Sequence, residues 1–116
     1  MAAKLSLPAI EKGATYSHIL YWKDKTKIPM DLTDVTAKMQ VRETVESSTI
    51  LLELSTENGG ITITSLEGKL VLALSASQTT ALVGLGGVYD LELYYSSGKV
   101  VRLIEGRIVF KPEVTR

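Results

Sequence analysis

The side chains that could carry out chemistry are few and scattered along this chain. His18 is the sole histidine and there are no cysteines, so a catalytic triad, a thiol nucleophile or a zinc site would lack most of its members. His18 lies in the run ATYSHILYWK, whose aromatic and β-branched residues are typical of a strand. A packed or half-exposed histidine therefore explains it better than a metal ligand or a catalytic base.

Asp31 and Asp34 flank a Leu-Thr pair and are the first carboxylates that could share a site. Together they could serve acid–base chemistry or bind calcium. Aspartates in such a position more often accept hydrogen bonds from nearby backbone groups in a turn. We expect the turn role.

Asp90 and Glu92 alternate with apolar residues and so lie on one face of a strand. Arg102 and Arg107, on the strand that follows, are candidates for ion pairs with them across the sheet. A glycosidase-like pair of carboxylates is conceivable, but nothing distinguishes these two from the other acidic residues. We expect no catalytic residue, no metal and no cofactor, and hence that the protein is not an enzyme.

The composition is that of one ordinary globular domain, which we take to span residues 1–116. Lys and Arg together number 13, as do Asp and Glu, so the formal net charge is zero. No basic excess favours nucleic acid or an anionic membrane, and no run approaches the ~18 apolar residues of a membrane helix. We expect neither partner, while zero net charge permits self-association.

The stretch 88–110 contains the strongest structural signal. Apolar and polar residues alternate through VYDLELYY, the turn SSGK follows, and the apolar run VVRLIEGRIVF returns. This pattern predicts a long β-hairpin, which needs further strands to cover it. The returning run changes phase at Glu105-Gly106, which predicts a bulge or bend near Gly106.

The remaining segments supply those strands and a single short helix. Residues 35–41 alternate cleanly, and residues 49–55, 61–64 and 69–74 are strand-like, with turn signals between them. Ser75 and Gln78 form the pattern of a capping box, so we predict a crossover helix over residues 76–83. The fold class is therefore all-β: an antiparallel β-sandwich, Ig-like or a partly open barrel.

Residues 1–12 form a possible N-terminal arm. Leu5, Leu7 and Ile10 are apolar, and Pro8 disfavours a central strand. An apolar arm of this kind could add to the sheet edge of a neighbouring chain, although it could also fold back on its own domain. We take all three apolar residues as candidate interaction residues.

Trp22 and Tyr94 are the other candidate interaction residues, as parts of an aromatic binding patch that could also include Tyr21 and Tyr95. Core packing is the competing role for such side chains. Both faces of residues 14–23 carry bulky side chains, so the sequence leaves open which face is buried.

Four short motifs in this chain follow the pattern of a known group of β-sandwich proteins. They are an Asp-Leu-Thr turn opening an alternating strand, a Leu-Ser-x-x-Gln-Thr helix, a Tyr-Asp-Leu strand and an Arg-Leu-x-Glu-Gly strand. In this chain they fall at Asp31-Leu32-Thr33, Leu74-Ser75 with Gln78-Thr79, Tyr89-Asp90-Leu91, and Arg102-Leu103 with Glu105-Gly106. With these motifs the chain resembles the β-sandwich modules that begin some bacteriophage baseplate proteins, and small tail-associated virion proteins more generally, over roughly residues 28–116.

The resemblance implies a structural role in a virion assembled in the host cytoplasm, most simply in the tail or baseplate. Several copies would then bind other virion proteins in a symmetric assembly, through loops, sheet edges and termini. The motifs are fold signatures and carry no catalytic residues. The alternative from another class is a carbohydrate- or ligand-binding β-sandwich that uses Trp22 and the tyrosines.

Overall fold

Two β-sheets packed face to face make up this structure, a computed structural model that describes residues 2–115. The larger sheet has six strands in the order β1-β9-β8-β4-β5, with β2 also paired to β9, and the smaller has the order β3-β7-β6. The strands are β1 (Ala3–Lys4), β2 (Ile10–Glu11), β3 (Tyr16–Tyr21), β4 (Thr36–Arg42), β5 (Leu52–Ser55), β6 (Ile61–Thr64), β7 (Lys69–Leu74), β8 (Gly86–Tyr94) and β9 (Val100–Lys111). The predicted all-β sandwich is confirmed.

The long hairpin is formed by β8 and β9, and β4 pairs with the other side of β8. Leu91 is fully buried and lies opposite Met39 of β4 and Ile104 of β9. Burial alternates along all nine residues of β8, as the sequence pattern predicted. The hairpin therefore lies at the centre of the larger sheet, with β4 and β5 on one side and the short strands β1 and β2 on the other.

The phase change in β9 comes from a bulge, but earlier than predicted. Leu91 pairs with Ile104 and Glu92 pairs with Arg102, so Leu103 is the extra residue. The predicted position near Gly106 is wrong, because Gly106 pairs in regular register with Tyr89. One inserted residue switches which side chains face inward, and this brings Ile104 and Ile108 into the core.

The smaller sheet decides which face of residues 14–23 is buried. Tyr16 is buried and His18, Leu20 and Trp22 are half-buried against the larger sheet. The alternate residues of β3 are exposed on the outer face of the smaller sheet, namely Ser17, Ile19 and Tyr21. In β7, by contrast, Leu70, Leu72 and Leu74 are buried as the alternation predicted.

A five-residue helix, α1 (Ala76–Thr80), carries the chain from the smaller sheet to the larger one. The capping box is confirmed: the Ser75 hydroxyl accepts from the Gln78 amide and the Gln78 side chain accepts from the Ser75 amide. The helix ends earlier than the predicted residue 83. Leu82 donates to the Thr79 carbonyl in a tighter turn, which buries Leu82 and leaves Val83 74% exposed.

The core lies between the two inner faces and includes residues outside the regular strands. Leu32 is fully buried, and its amide donates to the Ser65 carbonyl at the start of a short 3-10 turn, Ser65–Glu67. The largest fully buried side chains are Phe110, Ile10, Leu32, Met39, Leu54, Ile61, Leu70, Leu72, Leu91, Leu93, Ile108 and Val41. Only Ile10 in that set comes from the predicted arm.

The N-terminal arm is bound to its own chain, which corrects the expectation of a segment offered to a neighbour. Both β1 and β2 pair in parallel with β9, and the Leu5 amide donates to the Glu105 carbonyl at 2.9 Å. Leu7 is 6% exposed and Ile10 is fully buried, so neither lies on a surface. The arm covers the outer edge of β9, and its buried side chains fill the core beside that edge. The backbone groups of β9 that would otherwise be open at this edge are therefore paired by β1 and β2.

Candidate interaction site

The outer face of the larger sheet holds a polar groove of about 620 Å³. β4 contributes Gln40 and Arg42, β8 contributes Asp90 and Glu92, and β9 contributes Arg102 together with other polar residues. Residues two apart along one strand share a face of the sheet, and so do residues directly opposite each other on neighbouring strands. The alternating polar positions of these three strands therefore meet here. The groove therefore gathers charged side chains from three adjacent strands.

Arg102 forms ion pairs with three carboxylates at the centre of the groove. Its Nε lies 3.4 Å from Asp90 Oδ2 and 3.6 Å from Glu92 Oε2, and its Nη1 lies 3.4 Å from Glu105 Oε1. Lys4 Nζ of the arm approaches Glu105 Oε2 at 2.9 Å. The predicted cross-strand ion pairs are thus present for Arg102, whereas Arg107 lies opposite Val88.

The titration of the groove residues follows from burial and from this crowding of acids. Burial, helped by Glu92, raises the pKa of Asp90, although Arg102 opposes the increase. Outside the groove lining, burial and the hydrogen bond from the Tyr94 hydroxyl to Glu92 Oε1, at 2.9 Å, raise the pKa of Tyr94 to about 12. The groove carboxylates have neighbouring donors, but the raised pKa of Asp90 means that its surroundings disfavour the ionised form of that carboxyl.

The other candidate chemistry is dispersed. Asp31 Oδ1 accepts from the Thr33 amide at 2.9 Å and from its hydroxyl at 2.5 Å, which confirms the turn role and lowers the pKa of Asp31. Asp34 adopts a left-handed φ of 61°, a conformation that aspartate tolerates in turns. His18 pairs with Leu72 on the half-buried face of β3. Among residues 2–115 no three histidine or carboxylate side chains are grouped to hold a metal ion.

The candidate interaction residues do not form one surface. Trp22 follows β3 in the smaller sheet and packs on the core, while Tyr94 ends β8 in the larger sheet. Leu5 is 39% exposed, but both of its backbone polar groups are used, since its carbonyl accepts from the Tyr89 hydroxyl at 2.5 Å. With Leu7 and Ile10 buried, the structure does not bring the five residues together.

The surface that sequence reasoning missed is the outer edge of β3. β3 pairs with β7 on one side only, and β7 in turn pairs with β6. The Trp22 amide donates to the Gly68 carbonyl, so the even-numbered residues of β3 turn their backbone groups toward β7. The backbone groups of Ser17, Ile19 and Tyr21 therefore point away from the sheet.

Apolar side chains accompany that open edge. Ile19 is 47% exposed and Tyr21 is 56% exposed, on the same outer face as Val71 of β7. Lys23 Nζ lies 5.6 Å from the centre of the Tyr21 ring. The sequence carried one signal for this surface, namely that both faces of residues 14–23 are bulky. One bulky face packs on the core, and the other leaves Ile19 and Tyr21 exposed.

The other sheet edges are shorter or covered. β5 and β6 each have four residues, and β5 carries Glu53, while the outer edge of β9 is covered by the arm. β3 has six residues with no proline and no Lys, Arg, Asp or Glu, the residues that commonly guard an edge. We therefore take the outer edge and face of β3 as the candidate interaction site.

Comparison of the sequence with models of known protein families and with curated proteins finds no match. Among residues 2–115 no helix is both long enough and apolar enough to cross a membrane.

Proposed function

We propose that this protein is a structural component of a bacteriophage virion, in the tail or baseplate, and that it works by binding other virion proteins in several copies. The observation that carries the assembly role is the open edge of β3 beside exposed Ile19 and Tyr21. The resemblance of the sequence motifs to baseplate β-sandwich modules supplies the setting.

An open strand edge is suited to assembly because an extended segment of another protein can add to it as a further strand. Main-chain hydrogen bonds then give affinity and the alternate side chains give specificity. Natural proteins usually guard such edges with charge, proline or a covering segment, and β3 has none of these within its bounds. An edge without such protection does not lead to aggregation if a partner protein covers it, as we propose for β3.

The charged groove supports a structural role as well. Its guanidinium and carboxylates contact one another, and Arg102 links strands β8 and β9 across the sheet. Exposed apolar side chains elsewhere lie in connecting segments, where assembly contacts can also form: Val45, Leu66, Val83 and Leu85.

The experiment that tests this function measures incorporation into particles. We expect the protein in purified virions at a fixed copy number by quantitative mass spectrometry, and Ile19→Lys to lower that number at least about tenfold. Thr62→Lys is the matched control, because Thr62 is exposed on the same face of the same sheet but lies on β6. Absence from particles, or equal incorporation of the two variants, would contradict the proposal.

A ligand-binding β-sandwich is the second candidate, and the groove is the observation that favours it. Its volume of about 620 Å³ falls in the range of small-molecule sites, and carbohydrate hydroxyls could bond Gln40 and Asp90 at its wall. A glycan array should then show binding that is lost in Gln40→Ala and kept in Trp22→Ala, which lies outside the groove. Loss in Trp22→Ala alone would instead favour an aromatic site.

A further inference from the structure

We propose that β3 pairs antiparallel with β3 of a second copy of this chain, with Ile19 opposite Ile19, so that two three-stranded sheets become one continuous sheet. This inference uses the same edge of β3 as the proposed function. A second copy of the chain is here the protein that adds a strand to that edge.

The hydrogen-bonding pattern of β3 is self-complementary about Ile19. Only odd-numbered residues turn their N–H and C=O groups to the open side, because the even-numbered ones bond β7. In the proposed register Ile19 exchanges both bonds with its copy, and Ser17 exchanges both with Tyr21. Shifting the register by two residues in either direction would place one of these residues opposite a position outside β3.

The side chains in this register are compatible on the outer face. Ile19 of each copy packs on the other, beside half-buried Val71, which lies opposite Ile19 on β7. Ser17 lies opposite Tyr21, which leaves room for the larger ring. The apolar patch of one copy thus continues into that of the other.

The inner face gains cover in the same register. Tyr16 would lie opposite Trp22, and His18 opposite Leu20, all in positions that are buried or half-buried at the present edge of the sheet. Trp22, which is half-buried, would then gain an aromatic neighbour across the new strand pair, and aromatic pairs across strands are favourable.

Charge does not oppose this pairing. The net charge of the chain is zero, and the nearest charged residue, Lys23, lies opposite Thr15 rather than another lysine. A six-residue strand pair buries less than the roughly 1,200 Å² of a stable interface, so we expect a weak dimer whose population rises with concentration. Concentration along an assembled particle would favour it.

The absence of cysteine from the chain permits a direct test by single-cysteine cross-linking of the full-length protein. Ile19→Cys should be linked into a dimer by a short bismaleimide reagent, since directly opposed residues in a bonded pair have Cα atoms about 5.5 Å apart and the two thiols then lie within its reach. Ser17→Cys mixed with Tyr21→Cys should cross-link to each other more than either does to itself. Thr62→Cys, exposed on β6, is the control for random collision.

Sedimentation equilibrium supplies the second measurement. We expect Ile19→Lys to raise the dimer dissociation constant by about tenfold or more, because two lysines would lie directly opposite each other. Thr62→Lys should leave it unchanged.

The outcomes separate this inference from the proposed function. Cross-linking of Ile19→Cys no greater than that of Thr62→Cys, or a dimer insensitive to Ile19→Lys, would overturn the β3 pairing. If the isolated protein is monomeric while Ile19→Lys still fails to enter particles, the edge binds a different virion protein, and only the self-pairing is overturned. If the dimer forms but the chain is absent from particles, only the virion role is overturned.

Discussion

Leu91 and Asp90 are neighbours in the sequence but belong to opposite faces of β8. Leu91 is fully buried, so Leu91→Ala should lower the free energy of unfolding by ~2–5 kcal/mol, as the lost contacts and the remaining cavity both destabilise. Asp90→Ala removes a solvent-exposed ion pair with Arg102 and should cost ~1 kcal/mol or less. Urea denaturation checks both values, and equal losses would contradict the assignment of faces.

Tyr89 makes stability depend on alkaline pH. Burial, with a smaller contribution from Tyr16, raises the pKa of Tyr89 to about 12. An unfolded tyrosine ionises near pH 10, so between pH 10 and 12 the unfolded chain releases a proton that the folded chain keeps, and stability falls as pH rises by ~2–3 kcal/mol.

Tyr89→Phe should make that alkaline decline shallower, while at neutral pH it should cost ~1 kcal/mol through loss of the hydrogen bond to the Leu5 carbonyl. Chemical denaturation at a series of pH values measures both effects. Tyr21→Phe, on the exposed outer face, is the matched control. An identical pH slope for wild type and Tyr89→Phe would show that the buried hydroxyl is not the source.

At the scale of elements, the arm and β9 depend on each other. Gly106 has no side chain at the point where the arm passes, and a Cβ there would overlap the Leu5 carbonyl oxygen. Gly106→Ala should therefore displace β1, at a cost of ~1–3 kcal/mol. Faster amide hydrogen exchange at Leu5 and Leu7 would report the displacement, and Val109→Ala, exposed on the same strand, should leave both unchanged.

Ile10 and Leu5 test whether the arm belongs to the core. Ile10→Ala should lower the free energy of unfolding by ~2–5 kcal/mol because the side chain is fully buried, whereas Leu5→Ala, at 39% exposure, should cost much less. Removing residues 1–12 should destabilise the fold for the same reason, since Leu7 is lost as well. Unchanged denaturation midpoints would mean that the arm is dispensable and able to bind elsewhere.

For the whole molecule, protection from hydrogen exchange should follow the order of the strands. β8 has a bonded neighbour on each side, so the amides around Leu91 should exchange most slowly, through global unfolding. The amides of Ser17, Ile19 and Tyr21 should exchange fast in dilute protein and slow down as concentration rises. Exchange measured by NMR at two concentrations tests this, and a concentration-independent rate at β3 would contradict self-pairing.

The strands and their inward-facing residues could be predicted where one face of a strand is exposed to solvent and the other is buried. Val41 and Leu91 alternate with polar or charged neighbours, and this local contrast determines the inner face without knowledge of the fold. The same holds for the capping box at Ser75, whose two hydrogen bonds involve residues three apart. The ion pairs of Arg102 could be anticipated because a tight hairpin places its two strands opposite each other.

The candidate site could not be predicted in this way, because an edge is a property of the sheet and not of a strand. Nothing within Tyr16–Tyr21 states that β7 will bond one side and leave the other open. The bulge at Leu103 was also displaced from its expected position, because the sequence shows the change of phase but not which residue is left unpaired.

The sequence by itself determined the period-two burial, the turn positions and the helix start, since each depends on residues within a few positions of one another. The tertiary structure alone decided that the arm pairs in parallel with β9, that Leu7 and Ile10 enter the core, and that β3 remains at an edge. The position of the arm depends on contacts between residues about one hundred positions apart, such as Ala3 with Ile104, and the edge position of β3 depends on its pairing with β7, about fifty positions away. An apolar segment with a proline has the same local preferences whether it covers its own sheet or a neighbour's, and only the geometry of the open strand beside it makes the choice.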